Sequence, residues 1–126
     1  MLPVEKECRK IATRALEAAS VADASVSLVF GHESNTRFAN NEITTSGATE
    51  SISVAVAATR DGRTGRVTLN EIGEAALARA MRRAEELAGL LPADPEYVGP
   101  LPPQRYATIA AWDEATARSD AAARLP

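Results

Sequence analysis

Thr36-Arg37-Phe38-Ala39-Asn40-Asn41-Glu42-Ile43 decides the fold. Strand-forming residues run into paired asparagines and out again. Asparagine tolerates left-handed backbone and hydrogen-bonds its own local backbone, so the stretch reads as a strand, a tight turn or bulge, and a continuing strand through Ile43-Thr44-Thr45 to Gly47.

Working outward toward the N-terminus, residues 24–31 alternate. Val26, Leu28 and Phe30 share one face, with Ser25, Ser27 and Val29 on the other, which predicts a strand. Gly31-His32-Glu33-Ser34-Asn35 supplies turn residues between this strand and the next. Further upstream, Val4, Cys8, Ile11, Ala12, Ala15, Leu16 and Ala19 recur at helical intervals, predicting an amphipathic helix over 4–20 with Pro3 at its start. Cys8 lies on the apolar stripe, where a free cysteine packs as a small hydrophobe.

Toward the C-terminus the alternation is clearest over 50–59, with Ile52, Val54, Val56 and Ala58 on one face. Asp61-Gly62 then predicts a type I′ hairpin turn into a return strand over 64–69, where Gly65 leaves room for a close neighbour. Asn70 is the expected N-cap of a second helix, and Glu71 and Glu74 suit its positive end. Ile72, Ala76, Leu77, Ala80, Ala84, Leu87 and Leu91 form its apolar face, and Gly89 and Pro92 mark its end. Arg79, Arg82 and Arg83 could meet an acidic partner, but with Glu85 and Glu86 beside them they read as a solvated helix surface.

The expected fold is therefore α/β, of the α+β kind: a mainly antiparallel four-stranded meander flanked by two amphipathic helices, filling residues 1–91. Five prolines over 92–108 predict an extended connector. Residues 109–126 open a short helix at Trp112-Asp113-Glu114 that runs through Arg124 to Leu125-Pro126. This is either the start of a following segment, a short helix docked on its own domain, or a frayed tail.

Composition limits what such a chain does. At 126 residues and 45% hydrophobic it can bury one core, and with only 4% aromatic residues that core is expected to be Val, Ile, Leu and Ala, closely packed. A net charge of −3 provides no general positive field for phosphates, so nucleic acid is a disfavoured partner. One cysteine cannot form an intramolecular disulfide, and no apolar run approaches the ~20 residues of a membrane span, so a cytoplasmic location without membrane contact is expected. His32, the single histidine, sits in a polar stretch and reads as a solvated loop residue, since a catalytic metal needs about three protein ligands.

The order of helix, strands, helix and proline-rich connector carries Arg37-Phe38-Ala39-Asn40-Asn41, Asp61-Gly62-Arg63-Thr64-Gly65, Ala80-Met81-Arg82-Arg83-Ala84 and Leu91-Pro92-Ala93-Asp94-Pro95-Glu96. In this arrangement the chain resembles the N-terminal domain of the TldD/PmbA family over nearly its whole length. Members of that family have been described as modulators of DNA gyrase and as metallopeptidases. The resemblance implies zinc-dependent peptide hydrolysis by a His-Glu-x-x-x-His helix in later parts of the parent protein.

That motif is absent here, and one histidine cannot supply it. No catalytic or metal-binding residue is therefore expected in this chain, and zinc is expected only in a longer parent or another domain. What the resemblance leaves for this domain is a noncatalytic role in assembly, in homo- or hetero-oligomers of TldD/PmbA-like subunits, or in guiding unfolded peptide. An exposed strand edge would serve the second role through main-chain hydrogen bonds. Arg37, Phe38, Asn40 and Asn41 are the candidate substrate-binding residues; turn chemistry alone also accounts for the asparagines, and core packing for Phe38. The alternative function is a free-standing interaction or oligomerisation module without peptidase activity.

Overall fold

The computed structural model describes residues 2–124. Helix α1 spans Glu5–Glu17. Its start is held by Glu7, whose carboxylate accepts from the Val4 N–H at 3.0 Å; valine offers no side-chain acceptor in return, so only half of a capping box forms. Three strands follow, β1 (Asp23–Ala39), β2 (Glu42–Arg60) and β3 (Arg63–Leu69), in sheet order β1-β2-β3. Helix α2 spans Glu74–Leu90.

The expected meander of four strands is thus corrected to three. The predicted turn at Gly31–Asn35 does not form; β1 runs through it, and β2 runs through Gly47. Turn propensity is a local preference, and a neighbouring strand that satisfies the backbone overrides it. The glycines mark close cross-strand approaches instead. A Cβ on Gly31 would lie 2.8 Å from Ser51 Oγ, and one on Gly47 would lie 2.9 Å from Asn35 Oδ1.

Both hairpin turns have two central residues at positive φ: Asn40 and Asn41 at 54° and 60°, Asp61 and Gly62 at 53° and 70°. These are the backbone angles that make two-residue turns match strand twist. The second turn sets the β2-β3 register, from Arg60↔Arg63 through Ala58↔Gly65 and Val56↔Val67 to Val54↔Leu69.

Side-chain alternation then sorts the sheet. Val54, Val56 and Ala58 of β2 are fully buried, with Val26, Leu28 and Phe30 of β1 and Val67 and Leu69 of β3 packed around them. Helix α2 lies against β3, and α1 against α2. The helices contribute Ile11 and Ala15 from α1, and Ala76, Leu77, Ala80, Met81, Ala84 and Ala88 from α2. Small alanines on the helix let its backbone come close to the sheet. At Gly65 the approach is closest: a Cβ there would fall 2.0 Å from the Ala84 carbonyl oxygen and 2.6 Å from the Ala88 nitrogen.

The second helix begins later than expected. Its N-cap is Gly73, with no side-chain cap, rather than Asn70; three further residues separate the end of β3 from the point where the helix can lie on the sheet. The expected third helix shrinks to α3, Glu114–Ala117, capped by Asp113, which accepts from the Thr116 N–H at 2.7 Å. Bonds from the Thr116 hydroxyl and N–H hold the Asp113 carboxyl below its ordinary range. A single 3₁₀ turn, Ala122–Arg124, ends the described chain, and the expected helix end at Leu125-Pro126 lies outside it. So short a helix has no buried residue to hold it, and isolated short helices are marginal.

The chain divides into two compact units. One comprises Met1–Gly31 and Glu50–Pro100, and contains the helix-covered part of the sheet. The other comprises His32–Thr49 and Leu101–Pro126, and contains the Asn40-Asn41 end of the β1-β2 hairpin. Among the described residues no helix is long and apolar enough to cross a membrane.

Candidate functional site

Three places could carry chemistry. The first is the hairpin end, where the sequence-predicted residues lie. Arg37, Phe38, Asn40 and Asn41 fall within five consecutive positions around one turn, and all are exposed. The two asparagines occupy the left-handed turn positions, so their turn role is realised. Phe38 is 50% exposed and does not enter the core, which removes core packing as its explanation. Ile43, across the turn, is 40% exposed. The Thr44 hydroxyl donates to the Arg37 carbonyl at 3.2 Å, tying the two strands together next to the turn. Just upstream, the Thr36 hydroxyl oxygen is buried without a protein partner. The same unit carries Leu101, Tyr106, Ile109 and Trp112 on its non-helical segment, each at least 66% exposed.

The second place was missed by sequence reasoning. It is an apolar cavity of about 260 Å³ lined by Leu2, Pro3, Phe30, Ile52 and Ile72, with Gly31, Glu50 and Ser51 at its polar side. Phe30 and Ile52 sit at the end of the core face of β1 and β2, and Ile72 precedes α2. All three read in the sequence as core or helix-face residues. The register supplies the missing signal: β3 ends opposite Val54, so Ile52 has no β3 residue beside it.

The third is a charged cleft of about 320 Å³ lined by Arg60, Arg82, Glu85 and Glu86. Glu85 has a structural task there. Its two carboxylate oxygens accept from the Ser20 N–H at 2.6 Å and the Ser20 hydroxyl at 2.7 Å, clasping the chain that leaves α1. Partial burial pushes the Glu85 carboxyl up, but the Ser20 hydroxyl and N–H, the Arg60 charge and the Val21 N–H together outweigh it and hold the carboxyl below its ordinary value of 4.5. A lowered folded value means this clasp stabilises the fold above pH 4.5 and loses its contribution as pH falls through the folded value. Glu85→Gln is expected to cost about 1 kcal/mol at pH 7, at the low end for charged hydrogen bonds because the pair is exposed, and the difference from wild type should shrink as pH falls below the ordinary carboxylate value of 4.5. Urea melts of both proteins across that range check this.

A zinc site of the kind the resemblance implies needs three protein ligands. Among the described residues no three His, Cys, Asp or Glu side chains come together to hold a metal ion. His32 Nε2 instead lies 3.2 Å from the Ser34 hydroxyl. The donor set of the described residues does not fit the group, and no chemical step is assigned to it.

A three-stranded antiparallel sheet with two helices on one face, and a long hairpin ending in an asparagine turn, defines a mixed α/β domain. The family model for PmbA/TldA metallopeptidase domain 1 matches residues 24–88, just over half the chain, and the chain belongs to that family, TldD/PmbA. The match runs from β1 into the last turn of α2 and so includes both hairpin turns and the Gly65 contact. No curated protein sequence matches. Among solved structures the chain is similar to TldE from Thermococcus kodakarensis, with a TM-score of 0.72 and 12% identity, over 90% of this chain and 25% of that one. At that identity the likeness speaks for the fold alone. The chain spans about a quarter of the length of that structure.

Proposed function

We infer that this chain acts as the noncatalytic first domain of a TldD/PmbA-like metallopeptidase, and that it guides unfolded peptide or supports subunit assembly. The observation that carries the reading is the hairpin end: Phe38 and Ile43 stand half-exposed beside Arg37 and the Asn40-Asn41 turn, an apolar anchor with polar groups around it. Backbone edges and exposed apolar side chains suit a chain that has not folded, because such a partner offers unpaired main-chain groups and no fixed shape.

The test is fluorescence anisotropy with labelled carboxymethylated α-lactalbumin, which cannot refold, against native α-lactalbumin. Saturable binding of the unfolded form alone is expected, and Phe38→Ser together with Arg37→Ser should weaken it about tenfold. Equal binding of folded and unfolded forms would remove the peptide-guiding reading.

A second reading has its own observation. Leu101, Tyr106, Ile109 and Trp112 are exposed to 83%, 86%, 78% and 66% on a segment without regular structure, an apolar series that suits an interaction or oligomerisation module. Sedimentation equilibrium discriminates: a mass above 13.3 kDa that Tyr106→Ser and Trp112→Ser return to the monomer value favours assembly.

A further inference from the structure

We propose that β2 takes an added strand at Ile52, in line with β3, and that the added peptide places one apolar side chain in the cavity lined by Phe30, Ile52 and Ile72. Arg60 and Arg63 bracket a two-residue turn, so they form a hydrogen-bonded pair, and the bonded pairs then recur at every second residue: Ala58 with Gly65, Val56 with Val67, Val54 with Leu69. The next β2 residue with its N–H and C=O aimed to that side is Ile52. β2 is still a strand there, but β3 has ended and the chain has left toward α2. Among the described residues, no backbone group outside the strands bonds to Ile52.

An open edge alone is common and is usually blunted by charge, proline or a covering loop. Here the edge opens onto a cavity. Ile52 and Ile72 are each 37% exposed although one lies on the core side of the sheet and the other just before α2. The cavity holds about 260 Å³ and its walls are mostly apolar, room for one leucine- or phenylalanine-sized side chain. Main-chain hydrogen bonds beside a side-chain pocket form the arrangement by which sheets bind extended peptides, the bonds giving affinity and the pocket giving preference. The occupant is therefore an extended peptide, antiparallel to β2 as β3 is, with an apolar residue facing inward. An acidic residue at that position is disfavoured, because most of the walls are apolar and the charged group lining them is the Glu50 carboxylate.

This inference rests on the peptide-guiding reading but moves the contact from the Asn40-Asn41 turn to Ile52. The test is an amide chemical-shift titration of the whole chain with acetyl-Ser-Thr-Leu-Thr-Ser-amide, and with the same peptide carrying Asp for Leu. The Leu peptide is expected to shift and protect the Ile52 amide and shift Ile72, with Asp for Leu abolishing both effects. Ile72→Ser should weaken the Leu peptide about tenfold, while unchanged Val54 and Val56 amides report an intact fold. Shifts confined to Arg37, Phe38, Asn40 and Asn41 would overturn the Ile52 site and leave peptide guiding in place. No shifts anywhere at millimolar peptide would overturn both.

Discussion

Gly65→Ala is expected to unfold the domain or to cost more than about 4 kcal/mol, a large part of the ~5–15 kcal/mol that holds a domain together. The reason is space. Gly65 has no positive φ that would exclude an L side chain, so the substitution isolates the close approach of α2. An added Cβ would meet the Ala84 carbonyl oxygen at 2.0 Å, the Ala88 nitrogen at 2.6 Å and Leu87 Cβ at 2.9 Å. Two of these three atoms are helix backbone, which cannot rotate away as a side chain would. Relief requires the helix to lift from β3, and lifting it opens the contacts of Leu77, Met81 and Ala84, all fully buried. Gly89→Ala provides the control. Gly89 lies in the same helix with nothing within 4 Å of the added methyl, so the change should stabilise by about 0.5–1 kcal/mol through helix propensity. Thermal melts of the two variants should move in opposite directions.

Leu77→Ala carries the second large effect. Leu77 is fully buried between α2 and the sheet, with Val54, Val56 and Met81 the other largest buried side chains. A core with so few large residues has little to move into a vacated space, so the loss includes the cavity as well as the transferred methyl groups. The expected cost is about 3–5 kcal/mol. Leu90, in the last turn of the same helix, is 78% exposed, and Leu90→Ala should change stability by less than about 0.5 kcal/mol. Denaturant melts that gave both leucines the same cost would contradict the placement of the helix face.

These two residues also show what the sequence made legible. Gly65 was readable as a site of close approach because it follows an Asp-Gly turn on the inward-facing parity of a strand, and Leu77 because α2 repeats its apolar residues at helical intervals. The Asn40-Asn41 and Asp61-Gly62 turns were readable for a similar reason: few residue pairs accept positive φ twice in succession. Features that depend on a partner in space were not readable. His32-Glu33-Ser34-Asn35 has the composition of a turn, yet it lies in β1 because β2 runs beside it and its side chains need no burial. Asn70 is a better cap than Gly73 by residue type, but the helix starts where it can reach the sheet.

The candidate site divides along the same line. Arg37, Phe38, Asn40 and Asn41 could be placed around one turn from local chemistry. The half-exposure of Phe38, and the Ile52 cavity, follow from where strands end relative to one another, which no local pattern encodes.

On the proposed function, this chain handles unfolded polypeptide without cleaving it. The direct measurement is to incubate it with carboxymethylated α-lactalbumin at saturating zinc and follow both binding and cleavage. Saturable binding with no cleavage above the rate of zinc alone is expected. Cleavage that scales with the amount of this chain and stops on adding a chelator would contradict it.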